Sequence, residues 1–171
     1  MKAPVVKDFS ALIGIDWADS KHDICEMPVG SSDYQLSVIS SKPQALHDWA
    51  LALKQRYPNQ PVALACELKK GPLIYALSRY DHITLFPINP STVAKYRKAF
   101  TNSGAKNDPN DAQIQTEILA LHMDKLVPIL PESPPIRALA QLLEYRRKLV
   151  QDRVDLSNTI TAILKNYYAG T

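Results

Sequence analysis

The chain has 171 residues, 46% of them apolar and 22% charged, and a formal net charge of +3. That is the composition of an ordinary soluble globular protein, long enough to bury a substantial core. The start, Met1 to Asp8, has no continuous apolar region, and no later stretch approaches about 18 apolar residues, so neither secretion nor membrane spanning is expected and a cytoplasmic location is.

In chain order, the apolar run from Ala11 to Asp16 reads as a first strand. His22 to Met27 and Tyr34 to Ile39 follow after short turns, an antiparallel meander in which Tyr34, Leu36 and Val38 alternate. Ser41 and Pro43 announce a helix, with Leu46, Trp49, Ala50 and Leu53 at helical spacing up to Tyr57-Pro58. Val62 to Cys66 reads as a buried strand, Gly71-Pro72 opens a short helix through Leu77, and Ile83 to Ile88 supplies another strand. Strand, helix, strand implies a parallel pair with a right-handed crossover. Ser91 to Phe100 makes a basic helix. The order β-β-β-α-β-α-β-α is α/β with an antiparallel start and fits a ribonuclease H-like mixed sheet, in which the first and fourth strands are neighbours and Asp16 would stand beside Glu67.

Residues 124–135 hold Pro128, Pro131, Pro134 and Pro135 and read as a semi-rigid connector. From 136 to 171 there is no Pro and no Gly before Gly170. Leu142, Leu149, Leu156 and Ile163 recur every seventh residue, so one long helix of roughly 50 Å is expected, with a stripe suited to a coiled coil and thus to a homo-oligomer. Arg146 and Arg153 on the other seam track could instead face a nucleic acid. Packing on the domain's own surface is the third reading. The expected organisation is therefore a domain at 1–123, a connector at 124–135 and the long helix at 136–171.

Four carboxylates stand out. Asp16 and Glu67 each end an apolar run, as acids at the carboxyl end of a buried strand. Asp108 and Asp111 flank Pro109 where the polar loop from Thr101 meets the apolar repeat Ala112, Ile114, Ile118, Leu119; Asp108 reads as a helix cap, and the pair shares one face near the helix's positive end. Asp-x-x-Asp is also close to a capping box, a purely structural device. A buried carboxylate is costly unless paired or metal-bound, so four converging acids would form a divalent-cation site. Residues 69–106 carry seven basic groups against one acidic group. Lys69, Lys70, Lys95, Arg97, Lys98 and Lys106 thus flank the acids, as expected for a polyanion held across bound cations, unless they are only a solvated face.

With these residues placed, the chain resembles the DEDD-type insertion-sequence transposases with a RuvC-like N-terminal domain, a family that includes the bridge RNA-guided recombinases. The resemblance is carried by Gly14-Ile15-Asp16, by Glu67-Leu68-Lys69-Lys70-Gly71-Pro72, by Pro87-Ile88-Asn89-Pro90 with Ala94-Lys95-Tyr96, and by Ala105 to Ala112. It implies that Asp16, Glu67, Asp108 and Asp111 are catalytic ligands for two Mg2+ ions, with Mn2+ as a substitute. It also implies DNA and a structured guide RNA as partners. Many members follow the glutamate with Thr-Gly, whereas Leu68-Lys69-Lys70 intervene here. Full-length members continue into a C-terminal domain with a nucleophilic serine, and this chain stops at Thr171, so an N-terminal portion of a transposase is expected.

The expected activity is metal-assisted phosphodiester cleavage and strand transfer in transposition. Two other readings stand beside it: a stand-alone RuvC-like junction resolvase or nuclease, for which four acids suffice, and a non-catalytic nucleic-acid-binding and dimerisation module. An actin-like phosphotransferase is disfavoured because no Gly-rich phosphate loop follows Asp16. Cys25 and Cys66, without CxxC or Cys/His spacing, read as buried free thiols. His22, His47, His82 and His122 share no spacing and read as surface or half-buried residues. Trp17 and Trp49 read as packing residues, Trp17 with a place on the rim of the acidic site.

Overall fold

The computed structural model describes residues 4–100, 111–130 and 133–168. The chain divides into two compact units, residues 1–130 and 131–171. The first is built from β1 (Ala11–Trp17), β2 (Lys21–Pro28), β3 (Gln35–Ser40), α1 (Pro43–Arg56), β4 (Val62–Cys66), α2 (Pro72–Leu77), β5 (Ile83–Pro87), α3 (Pro90–Phe100) and α4 (Asp111–His122). The strands form one five-stranded sheet in the order β3-β2-β1-β4-β5. β1, β2 and β3 are antiparallel, and β1, β4 and β5 are parallel. This is the mixed ribonuclease H-like arrangement that the order of strand-forming runs predicts.

Period-two alternation sorts the sheet into two packed faces. Ile13, Ile15, Ile24, Leu64 and Cys66 meet Leu46, Ala50 and Leu53 of α1 and Leu73, Ile74 and Leu77 of α2. On the opposite face Leu12, Met27, Ala63, Ala65 and Phe86 meet Val93 of α3 and Ile114, Ile118 and Leu119 of α4. Every residue of β4 is buried because helices cover both of its sides, which is why its sequence is a continuous apolar run and not an alternating one. β3 lies at the sheet edge, and its Leu36 and Val38 are 59% and 57% exposed.

Both cysteines are free and buried, as expected, and burial pushes the Cys66 thiol up to about 12. The histidines require a correction. His22 and His82 are only 2% and 7% exposed. His82 is held by a 2.9 Å hydrogen bond between Nε2 and Ala50 O, and His22 Nδ1 accepts from the Ala18 amide across the β1–β2 turn. A polar ring is buried at little cost when a backbone group satisfies it, and spacing along the chain carries no sign of that.

Within the proline-rich stretch, Ile129 donates its amide to Leu85 O of β5 (2.8 Å) and packs against the core. In the second unit α5 (Pro134–Tyr167) runs for 34 residues, with Pro134 and Pro135 in its first turn, where the missing amide hydrogens are not needed. None of its side chains is buried, and Leu142, Leu149, Leu156 and Ile163 are exposed. No helix among the described residues is long and apolar enough to cross a membrane.

Candidate active site

Asp16 is the sixth residue of β1, and Glu67 is the first residue beyond β4. The parallel register ends at Ile15 beside Cys66, so these two acids emerge from adjacent strands at the same edge of the sheet. Alternation from Leu12 and Ala65 directs both toward the face covered by α4. Asp111 opens α4 on that face.

What draws α4 so close to β1 is Gly14, two residues before Asp16 on the same side. A Cβ at Gly14 would stand 1.9 Å from the carbonyl oxygen of Ala112 and 2.8 Å from Thr116 Oγ1. Only a residue without a side chain permits that approach. Ala112, itself fully buried, directly follows Asp111, so the Gly14–Ala112 contact brings the first turn of α4 to the end of β1. Thr116 adds a hydroxyl 3.1 Å from Cys25 O on β2, and Gln115 Oε1 accepts the Ile15 amide hydrogen at 3.2 Å.

The electrostatics bind the acids into one group. Burial lifts the Asp16 carboxyl above its ordinary value, the charge of Asp23 directly across the β1–β2 pair lifts it further, and Arg97 and His22 draw it back. Burial likewise lifts Glu67, with the charge of Asp16 adding to the effect and Arg97 opposing it. Arg97, half-buried on α3, is bonded through Nη2 to Asp111 Oδ1. One guanidinium therefore acts on all three acids. Among the described residues no three His, Cys, Asp or Glu side chains form a ready-made metal cage. In the arrangement described, Asp111 is spent on Arg97. The donors themselves are carboxylate oxygens, which have the hard chemistry that Mg2+ or Mn2+ prefers.

The basic residues fall in two places. Lys69 and Lys70 are exposed in the bend after Glu67, and Lys95 and Lys98 are exposed on α3. Arg146 and Arg153 are exposed on α5. Asp108 and Lys106 lie outside the described residues, as does the proposed cap of α4. Trp17 turns to the other side of the sheet from Asp16: its ring centroid is 6.4 Å from that of His22, and the two line a cleft of about 190 Å³ with Ser41, Pro43 and Pro72. It does not share the face of the acids.

Sequence reading missed a buried acid. Glu26, in the middle of β2, accepts two hydrogen bonds from Arg56 Nη1 and one from Tyr57 Oη, each 2.6 Å. Its partners sit 30 and 31 residues away at the end of α1, and no local pattern announces the pairing. Glu67 and Asp16 differ from it in kind, since among the described residues no salt bridge reaches either.

Comparison with known proteins identifies the family. The DEDD transposase family model of the IS110 type, described as a transposase, matches residues 13–169. The "Mini-circle putative transposase for IS117" of Streptomyces coelicolor is 27% identical over 157 residues, covering 91% of this chain and 38% of the relative. The "Putative transposase y4uE" of Sinorhizobium fredii is 25% identical over 162 residues, covering 91% of this chain and 44% of the relative. The chain thus spans less than half the length of these relatives. With 157 of its 171 residues inside the family match, the chain belongs to the IS110-type DEDD transposase family.

Proposed function

We propose that this chain is the catalytic portion of a DNA transposase or recombinase, with residues 1–123 as a RuvC-like domain, 124–135 as a connector and 136–171 as the start of a coiled-coil region. Asp16, Glu67, Asp108 and Asp111 hold two Mg2+ ions, or Mn2+ in their place. The observation that carries this reading is the convergence of Asp16, Glu67 and Asp111 on one guanidinium, at an edge where burial raises the cost of leaving those carboxylates charged.

Bound divalent cations supply charge stabilisation to the attacking and leaving oxygens of a phosphodiester. The chain's own residues do the remainder. Asp16 and Glu67 are fixed by the strand ends, so the oxygens they offer are preorganised and cost little to bring together. Arg97 neutralises the acids and, when the cations take over that role, is placed to meet a phosphate. Lys69, Lys70, Lys95, Lys98 and Lys106 engage the DNA backbone, which positions the substrate without reading its sequence. Target choice belongs to a structured guide RNA and to parts of a longer protein. The stripe of α5, with Arg146 and Arg153 beside it, pairs with a second copy or lies along nucleic acid.

The test is a Mn2+ and Mg2+ titration of the 171-residue chain by calorimetry, beside Asp16→Asn and Glu67→Gln. Loss of cation binding in both variants with retained folding is expected. Binding equal to that of the unmodified chain would overturn the assignment and leave a non-catalytic nucleic-acid-binding module. Magnesium-dependent cleavage of branched DNA by the isolated chain would shift the reading to a junction resolvase on the same fold.

A further inference from the structure

Gln115 is completely buried, in a helix whose other inward positions are Ala112, Ile114, Ile118 and Leu119 with only Thr116 polar. Its side-chain oxygen accepts the backbone hydrogen of Ile15, the residue that precedes Asp16. Because the partner is a donor, the oxygen must face it, and the amide orientation is fixed by chemistry. The other end, Nε2, is buried with no hydrogen-bond partner among the described residues. A half-satisfied amide in a buried position is a poor choice for stability, since an apolar side chain of equal size would avoid the unmet donor. Violations of this sort gather where function requires them.

What the amide accomplishes is specific. It joins the backbone amide of the residue before Asp16 to α4 one helical turn after Asp111, so it ties together the two elements whose spacing sets the distance between those carboxylates. Gly14 lets the helix approach, but a bare van der Waals contact permits sliding along the strand. A hydrogen bond to one particular amide does not.

We propose that Gln115 is a positioning residue of the carboxylate site, holding the end of β1 in register with the first turns of α4 so that Asp16 and Asp111 offer their oxygens at a fixed separation. The inference rests on the cation-binding reading given above. It touches no substrate itself, and acts through the acids. Residues that orient the ligands of a metal commonly change affinity by about 10- to 100-fold when removed.

The experiment compares the unmodified 171-residue chain with Gln115→Met and Gln115→Glu, using thermal melting in EDTA and Mn2+ affinity by electron paramagnetic resonance. Methionine keeps the length and most of the volume while removing both hydrogen-bonding ends; glutamate keeps the acceptor for Ile15. The expected result is Q115M melting at or above the unmodified chain in EDTA yet binding Mn2+ about 10-fold more weakly, with Q115E recovering most of the affinity. Were Gln115 merely a core-filling residue, Q115M would leave the Mn2+ affinity unchanged whatever it did to the melting temperature. Q115M affinity within twofold of the unmodified chain overturns the inference, as does a Q115E variant that binds no better than Q115M. Should Q115M not fold, the Q115E affinity alone decides: near the unmodified value supports the tether, and a 10-fold loss overturns it. Absence of Mn2+ binding by the unmodified chain overturns the cation-site reading itself, a result distinct from the others.

Discussion

The close approach of α4 to β1 gives the sharpest perturbation. In Gly14→Ala the new methyl carbon would lie 1.9 Å from Ala112 O and 2.8 Å from both Ala112 C and Thr116 Oγ1. Ordinary contact begins near 3.4 Å, so the helix must withdraw by about 1.5 Å or tilt by an equivalent amount. A backbone carbonyl in the middle of a hydrogen-bonded turn cannot rotate away as a side chain does. Overpacking of this kind costs about 1–3 kcal/mol, and the upper end is expected here because the obstruction is backbone. With a urea slope of about 2 kcal/mol/M, the unfolding midpoint should fall by roughly 1–1.5 M. Truncating the other obstacle in G14A/T116A should leave most of that loss, since the carbonyl remains. A displacement of about 1 Å at a catalytic constellation can cost about 100-fold, so the cation affinity of G14A should fall out of proportion to its stability. A G14A midpoint within about 0.2 M of the unmodified chain would refute the claim that this contact sets the helix position.

Arg97→Ala removes the guanidinium that neutralises the acids; the pair with Asp111 is partly exposed, so stability in EDTA should fall by only about 1 kcal/mol. Mn2+ should bind more tightly to R97A, because the competing cation is gone, and a weaker binding isotherm would show instead that Arg97 is needed to hold Asp111 in place. Burial raises both Asp16 and Glu67, so without cation the folded chain binds more of their protons than the unfolded chain between the ordinary and the raised values. Their contribution to stability is therefore most favourable at acid pH and is lost as pH rises through the folded values; melts in EDTA from about pH 4 to about pH 7 should show that decline, and Asp16→Asn should flatten it. Saturating Mg2+ should reverse the slope, because the cation takes the deprotonated form. Tyr57→Phe removes one of three bonds to buried Glu26 and should cost about 1 kcal/mol, whereas Glu26→Gln, which strips the charge from under Arg56, should cost about 2 kcal/mol, both read by urea denaturation.

The sheet was legible because its signals are local. Val62–Cys66 is a strand with the bounds its apolar run predicts, and Pro43 and Tyr57-Pro58 bracket α1 as expected. The adjacency of Asp16 and Glu67 follows once the order of elements is matched to a ribonuclease H-like sheet, in which the first and fourth strands are neighbours. What stayed hidden is pairwise and distant. Nothing near Gly14 in the sequence says that Ala112 will sit on it, nothing near Glu26 points to Arg56, and the bond from Ile15 to Gln115 spans 100 residues. Burial of His22 and His82 was illegible for the same reason, since each is satisfied by a backbone group that only the folded chain supplies. Exposure of Leu36 and Val38 escaped because alternation marks a strand without saying whether its apolar face will find a neighbour.

Two kinds of acid stand in one small sheet, the buried Glu26 and the half-buried Asp16 and Glu67, and the difference between them bears on the role of the edge. Glu26 shows that this fold can satisfy a carboxylate inside the sheet: a guanidinium on both oxygens and a phenol on one offset its desolvation, and burial together with that bond pushes Tyr57 up to about 12. At Asp16 and Glu67 the same remedy is withheld. Three acids act on one guanidinium, which bonds to Asp111, while burial lifts the other two carboxyls, reinforced by the charge of Asp23 at Asp16 and by that of Asp16 at Glu67. Stability alone would favour a neutral or apolar residue at either position, as it would at Gln115. Carboxylates held at rigid strand ends without a full partner are what the proposed cation site would require, since a bound divalent ion would offset the cost of leaving them charged.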